Sequence, residues 1–411
     1  MSMKLGFRSF LLLFLLDFGR TEDQEIWCRN PDGKRVEWFV VYKVPKTAGP
    51  RPNSPRDSLD GSEYGYADSK TVKNSEAFVE GKNGIFSENG NPIAKSLTRL
   101  FQRQKARADR ELTYIVYNDK PPPELSNSTS NGHTKGVVLF GARSGLWLVH
   151  SVPKFPENIF SGSYSFPSNA RENGQSFICI TMDSEELNTV AKHLRRQNPN
   201  MYASSAPPKI RSKYNELDLL LDKKYLRSQP YSLKDLIPAI NGTVFTAFAK
   251  GGPLNKDIYS GVIAPALETD LYVESWRNGN GGRLPPDCFD KYKVTDIQKI
   301  ALKVGKGTMQ WSSSEDHSKW AVGDRGQWIC LGSINRMLSQ FKRGGETMCF
   351  QNLGVHQLFR SAMAEFTPCA LQSSNPRGRS QVLEYIIERD EDEEHEKRKE
   401  RHRDRRGRGR R

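Results

Sequence analysis

Two triplets in this chain carry residues able to do acid–base and nucleophilic chemistry: His133-Thr-Lys135 and His317-Ser-Lys319. In extended backbone the side chains at i and i+2 point to one side. Each triplet would then present an imidazole and an ammonium together, with Thr134 or Ser318 turned aside. Two such triplets brought to one point offer two imidazoles and two cations to an anion, and a phosphodiester suits that set. One neutral imidazole can attack phosphorus while the other, protonated, donates to the departing oxygen. The lysines would neutralise the oxygens whose charge is redistributed in the transition state. With 7 His and 62 Lys plus Arg in 411 residues, such spacing also arises by chance, so the surroundings must decide.

The elements around the triplets read as strands. VEWFVVYKVP (36–45), ELTYIVYND (111–119), KGVVLF (135–140), GLWLVHSVP (145–153) and SFICITMD (176–183) are β-branched and aromatic runs. The last leads into a helix over 184–197, with Asp183 as N-cap and Glu186 three places on. Residues 47–74, rich in Pro, Ser, Gly and Asp, predict a long surface loop, and 94–110 has helical spacing. DIYSGVIAPALE (257–268) reads as helical in part, Gly261 and Pro265 limiting it. DLYVESW (270–276), IQKIALKV (297–304), HSKWAV (317–322) and QWICLG (327–332) read as extended. Each triplet thus opens an apolar β-like run, a weak internal repeat confined to the motif.

The rest of the chain bounds the setting. The apolar run Phe10–Leu16 follows Lys4 and Arg8. It is far short of the ~20 residues of a spanning helix and reads as a secretory signal over 1–20, cleaved between Phe18 and Glu25. Six cysteines without a Cys-x-x-Cys pair suit disulfides better than zinc. Asn127-Ser-Thr and Asn241-Gly-Thr are glycosylation sequons. The formal charge is +14, and the tail adds little to it. Residues 388–396 hold seven acidic side chains against one basic, and 397–411 ten basic against two acidic. A basic body favours a polyanionic partner, nucleic acid or a sulfated glycan, although solubility alone would account for it equally well. The segment 375–411 reads as a charged, disordered tail. There is no His-Glu-x-x-His, no Asp-x-Asp cluster in the body and no cysteine ligand set, so neither a metal nor a cofactor is expected. His150 reads as a core histidine, and His193, His356, His395 and His402 carry no functional expectation. Trp147, Trp320 and Trp328 could stack on bases but read as core.

HSKWAVGD (317–324) fits His-x-Lys-x4-Asp and GSIN (332–335) follows it; together they resemble the phospholipase D superfamily signature. Within that superfamily the closer resemblance is to the deoxyribonuclease II family. It is carried by CRNPDGKRVEWFVVYKVPK, YIVYND, GHTKGVVLF, GLWLVHSVPKFP, NGQSFICIT, EDHSKW and WICLGSINR. The resemblance implies an α/β fold of two phospholipase D-like halves in one chain, a pseudo-dimer over 26–215 and 216–374. Each half is a mixed sheet flanked by helices, and the active site lies at their junction. It implies a lysosomal or secreted endonuclease that cuts DNA at acidic pH without a divalent metal, leaving 3′-phosphate and 5′-hydroxyl ends. His133, Lys135, His317 and Lys319 take the catalytic positions and Asn335 a supporting phosphate-site position. By analogy His133 attacks and His317 is the acid. The implied disulfides are Cys28–Cys179, Cys288–Cys369 and Cys330–Cys349. The first triplet departs from the pattern: Phe140-Gly141 stand where an aspartate is expected, and no Gly-Ser-x-Asn follows. On the residues alone either histidine could attack first.

Free imidazole titrates near about pH 6.5, and neighbouring lysines lower that value. Keeping one histidine protonated therefore calls for an acidic medium. The rival reading is a catalytically weak secreted protein on the same fold that binds nucleic acid or another polyanion. Intact His and Lys in both triplets favour the enzyme. A phospholipase lacks support, since no amphipathic membrane-facing stretch lies near the triplets. The expected partner is DNA, with a homodimer possible and no membrane span in the mature form.

Overall fold

The computed structural model describes residues 25–369 apart from 49, 52–53, 75, 103–111, 123–124, 126–129 and 280. The signal segment, the Asn127 sequon, the helix continuation to Arg110 and the charged tail lie outside the described residues. The chain enters through a short hairpin, β1 (Cys28–Arg29) against β2 (Arg35–Val36), and lays down β3 (Trp38–Lys43), buried throughout. Side chains alternate along a strand, so Trp38, Val40 and Tyr42 enter one core and Phe39 and Val41 another. An apolar run without polar alternation is what a sheet covered on both faces requires.

A second small hairpin, β4 (Pro50–Arg51) with β5 (Ser54–Ser58), precedes β6 (Tyr64–Asp68) and β7 (Val79–Glu80). Three strands therefore fall wholly within the stretch expected as a loop. β6 was illegible because YGYAD is short and flanked by turn residues; it forms because the free edge of β3 offers it partners. β8 (Thr113–Asn118), β9 (Lys135–Phe140), β10 (Ser144–His150), β11 (Gln175–Asp183) and β12 (Met201–Ser205) follow. They complete an antiparallel sheet in the order β12-β8-β9-β10-β11-β3-β6-β7.

The second sheet contains β13 (Ser232–Pro238), β14 (Val244–Lys250), β15 (Leu271–Glu274), β16 (Val294–Val304) and β17 (Gly307–Ser312). β18 (Trp320–Gly323), β19 (Trp328–Gly332), β20 (Gly345–Gln351) and β21 (Met363–Phe366) complete it. The order is β13-β14-β20-β19-β18-β15-β16-β17, with β21 on β16; β15 and β16 run parallel and the other pairs antiparallel. No strand was expected at β13, β14, β17 or β20, whose polar and alanine positions dilute the β-branched signal.

Facing sides of the two sheets share one core, in which Trp38 meets Phe350 at 5.2 Å and Tyr42 meets Trp320 at 6.3 Å between ring centroids. Helix α1 (Pro92–Gln102) covers the outer face of the first sheet through Ile93, Leu97, Leu100 and Phe101. Helices α2 (Leu187–Gln197) and α3 (Leu353–Ala362) pack their apolar faces into the shared core. The turn before α2, Ser184–Glu186, is 3-10, and the Asp183 side chain makes no capping hydrogen bond, contrary to expectation. Tyr259–Ile263 winds as π-helix and Ala264–Leu267 as α-helix. Disulfides join Cys28–Cys179, Cys288–Cys369 and Cys330–Cys349, the same three pairs the resemblance implies. Among the described residues no helix is long and apolar enough to cross a membrane.

Candidate active site

Each triplet stands where a strand begins. Lys135 opens β9, and Lys319 immediately precedes β18. Thr134 turns away to Gln197 (2.9 Å) and to Glu346, and the Ser318 hydroxyl donates to the Tyr42 hydroxyl (3.1 Å). The anchoring of the histidines is crossed between sheets. The N–H of His133 donates to the carbonyl of Gly344, just before β20 (2.8 Å), and the N–H of His317 to that of Gly174, just before β11 (2.8 Å). The His133 ring adds a contact of 2.6 Å from Nδ1 to the Ser333 carbonyl oxygen. The two triplets thus meet along the seam between the sheets.

A carbonyl oxygen only accepts, so Nδ1 of His133 carries the proton and Nε2 of the neutral ring carries the lone pair. That Nε2 lies 3.7 Å from Oδ2 of Asp119, a carboxylate 5% exposed that is ion-paired with Lys135 and lies 3.5 Å from Arg343. Burial raises the pKa of Asp119, but Lys135, His133 and Arg343 outweigh it and hold the group well below the usual carboxylate range. Burial pushes His133 well below the ordinary imidazole value, Lys135 adding to the effect and Asp119 opposing it. His317 is pushed down to about 2 by burial, then by Lys319 and Lys135. Its ring stands nearly perpendicular to that of Trp276, 3.9 Å between centroids. Lys319, which donates to the carbonyl of His317, is lowered to about 7 by burial and by Lys135. Both shifts favour the neutral imidazole, and Lys135 and Lys319 contribute to both. An anion placed between the two imidazoles would raise both values.

Buried acids lie beside the triplets. Asp316 accepts from the Tyr42 hydroxyl (2.6 Å), the Trp311 indole (2.7 Å) and the N–H of Ser318 (2.7 Å), which fixes the residue before His317. Glu346 is raised to about 8 by burial and Glu274 well above the carboxylate range by burial and Asp316. Sequence reasoning missed Asp119, Trp276, Arg343 and Glu346. Asp119 follows β8, and only the pairing of Asn118 with Lys135 brings it beside the triplet.

Asn335 is 4% exposed; its N–H donates to Gln340 (2.7 Å) and its Oδ1 has no partner among the described residues. Asp324, the aspartate of the His-x-Lys-x4-Asp match, lies beyond the far end of β18, exposed, 3.4 Å from Arg360. The first triplet is also less bare than its sequence suggests. Leaving β10, Ser151 accepts the N–H of Ser176 (2.9 Å), as Ser333 beyond β19 accepts that of Glu346 (3.3 Å); Pro153 stands at the offset of Asn335. His150 is buried between Phe155 and Phe177, His193 contacts Asp235 (2.9 Å), and His356 contacts the Gly323 carbonyl (2.9 Å). Trp147 and Trp320 are core, and Trp328 is half-buried against the outer core of the second sheet. Among the described residues no group of three His, Cys, Asp or Glu is arranged to hold a metal. Asn241 is exposed in the turn between β13 and β14.

The family model for deoxyribonuclease II matches residues 27–369. Deoxyribonuclease-2-alpha of Mus musculus is 34% identical over 364 residues, 88% of this chain and 98% of that protein. Deoxyribonuclease-2-beta of Homo sapiens is 32% identical over 366 residues, 88% of this chain and 96% of that protein. Plancitoxin-1 of Acanthaster planci is 32% identical over 349 residues, 84% of this chain and 93% of that protein. Among solved structures, a phosphatidylserine synthase of Haemophilus influenzae Rd KW20 matches with a TM-score of 0.31 and 11% identity over 66% of this chain and 74% of that one.

Proposed function

Because this chain belongs to the deoxyribonuclease II family, we propose that it is an acid endodeoxyribonuclease whose two His-x-Lys triplets form one metal-independent site. The observation that supports this most is the crossed anchoring of His133 and His317 by Gly344 and Gly174. In this reading Nε2 of His133 attacks phosphorus and the bond to the 5′-oxygen breaks. Protonated His317 gives that oxygen its proton. His133 becomes cationic in the phosphohistidine, and Asp119, 3.7 Å from Nε2, favours that charge. Water then attacks phosphorus and passes its proton to His317. The P–N bond breaks, releasing the 3′-phosphate and restoring both histidines. Lys135, Lys319 and the Asn335 side chain bind the non-bridging oxygens.

The pH dependence follows from the site's charges. Burial and the lysines keep His317 neutral when the site is empty, so its proton must be taken up with the phosphodiester, whose charge opposes theirs. Uptake becomes harder as pH rises, so kcat/KM falls toward neutrality.

The same reading takes 26–215 and 216–374 as two phospholipase D-like halves. The strand orders β8-β9-β10-β11-β3 and β15-β18-β19-β20-β14 correspond, with a triplet at the start of the second strand in each. Three disulfides suit the oxidising route of a lysosomal or secreted protein, with Asn241 an accessible glycosylation site.

The test is nicking of plasmid DNA by the mature protein at about pH 5 in excess chelator, beside His133→Ala and His317→Ala. The parent nicks, and each variant loses on the order of a thousandfold or more. An inactive parent that still binds DNA would instead establish the binder. Activity only with added metal would rule out the metal-independent mechanism.

A further inference from the structure

Two buried lysines outside the triplets hold corresponding places in the two sheets. Lys43 ends β3 and Lys250 ends β14, and each is 0% exposed. The Lys43 ammonium donates to three main-chain carbonyls, those of Ala170 (2.5 Å), Arg171 (2.7 Å) and Asn173 (2.7 Å). The Lys250 ammonium does the same with Gln340 (3.0 Å), Phe341 (2.8 Å) and Arg343 (2.7 Å). Each loop so gathered runs directly into a glycine that anchors a histidine. Residues 170–173 lead to Gly174, which holds His317, and 340–343 lead to Gly344, which holds His133. Neither glycine has room for a side chain. A Cβ on Gly174 would lie 2.7 Å from the Asp316 carboxyl carbon, and one on Gly344 would lie 2.0 Å from the Gln197 carbonyl oxygen.

We propose that Lys43 and Lys250 are positioning residues for the two histidines: each ammonium ties three carbonyls of the loop that presents the main-chain anchor of the histidine on the opposite sheet. The inference rests on the two-histidine reading above. Volume alone does not explain it, since a methionine would fill the space without burying a charge. Burial pulls Lys43 down to about 7, with Asp316, Glu63 and Glu172 opposing and Arg171 adding to it; burial pulls Lys250 to about 8, with Asp257 opposing. At acidic pH both keep three hydrogens for three carbonyls. The arrangement occurs once per sheet, at the same place relative to each triplet.

The assignment is directional. Lys43 acts on His317, the acid, and Lys250 on His133, the nucleophile. A leaving group that needs no proton separates them, so the probes are plasmid DNA and thymidine 3′-(p-nitrophenyl phosphate), in which nitrophenolate replaces the 5′-oxygen. Lys43→Met lowers kcat on DNA by on the order of 10- to 100-fold, with little change in KM, and, as His317→Ala does, largely spares the first-turnover release of nitrophenolate, which precedes the step in which water passes its proton to His317. Lys250→Met lowers both rates together, as His133→Ala does. The ratio of the two rates is independent of how much of a variant is folded, and Lys43→Gln and Lys250→Gln, which keep a donor, give intermediate losses. A wild-type rate ratio in Lys43→Met, or wild-type kcat in both methionine variants, overturns the proposal. Undiminished activity of the two histidine variants themselves would instead overturn the reading on which it rests.

Discussion

In the proposed reaction Lys319 has two effects, and they oppose each other. Its charge attracts the phosphodiester, and the same charge, with burial, depresses the imidazolium of His317. Removing it in Lys319→Gln therefore lowers the peak rate on the order of a hundredfold and raises the His317 pKa. The alkaline limb of kcat/KM then moves to higher pH; a limb that stays or moves down would contradict this account. Asp119 is suited to an acidic medium. Its folded pKa lies below the unfolded value of about 3.9, so the stability from its pair with Lys135 is present above that value. It is lost only as pH falls through the lower folded one. Histidines and lysines at i and i+2 were legible from residue types and spacing. Asp119 and Trp276 were not, since nothing local distinguishes them from other residues just beyond strand ends.

At the scale of elements, β18 carries the proposed chemistry at one end only. Lys319 enters the site before its first residue, and Asp324 leaves past its last, exposed beside Arg360. A four-residue strand separates the two ends by more than a side chain's reach. An exposed pair of this kind contributes little to stability, so Asp324→Ala should keep kcat/KM within about twofold of the parent. Loss of about tenfold in plasmid nicking would restore it to the site. The signature aspartate thus helped to recognise the motif, although it stands at the strand end away from Lys319. Continuous apolar runs made β3, β8, β9, β10 and β11 legible, because both faces are buried. β6, β14 and β20 each pair with a strand distant in sequence, which a local pattern cannot register.

For the molecule as a whole, the site depends on two sheets holding their relative position. The shared core does most of this through contacts such as Trp38 with Phe350. Cys28–Cys179 closes a separation of 151 residues and ties the entering hairpin to β11, the strand that follows the anchor Gly174. Cys28→Ser with Cys179→Ser should cost about 2–5 kcal/mol, read as a lower melting temperature and denaturation midpoint. An unchanged midpoint would remove that support. The sequence by itself determined the candidate reacting groups, the family, the cysteine set and the strands that lead out of each triplet, because these reside in residue types and short spacings. Only the tertiary structure decided that each histidine is held by the opposite sheet, that Asp119 rather than Asp324 accompanies a triplet, and that two buried lysines knot the loops behind the anchors. Those relations join residues brought together by packing, and no local pattern of charge or hydrophobicity encodes a distance across a core.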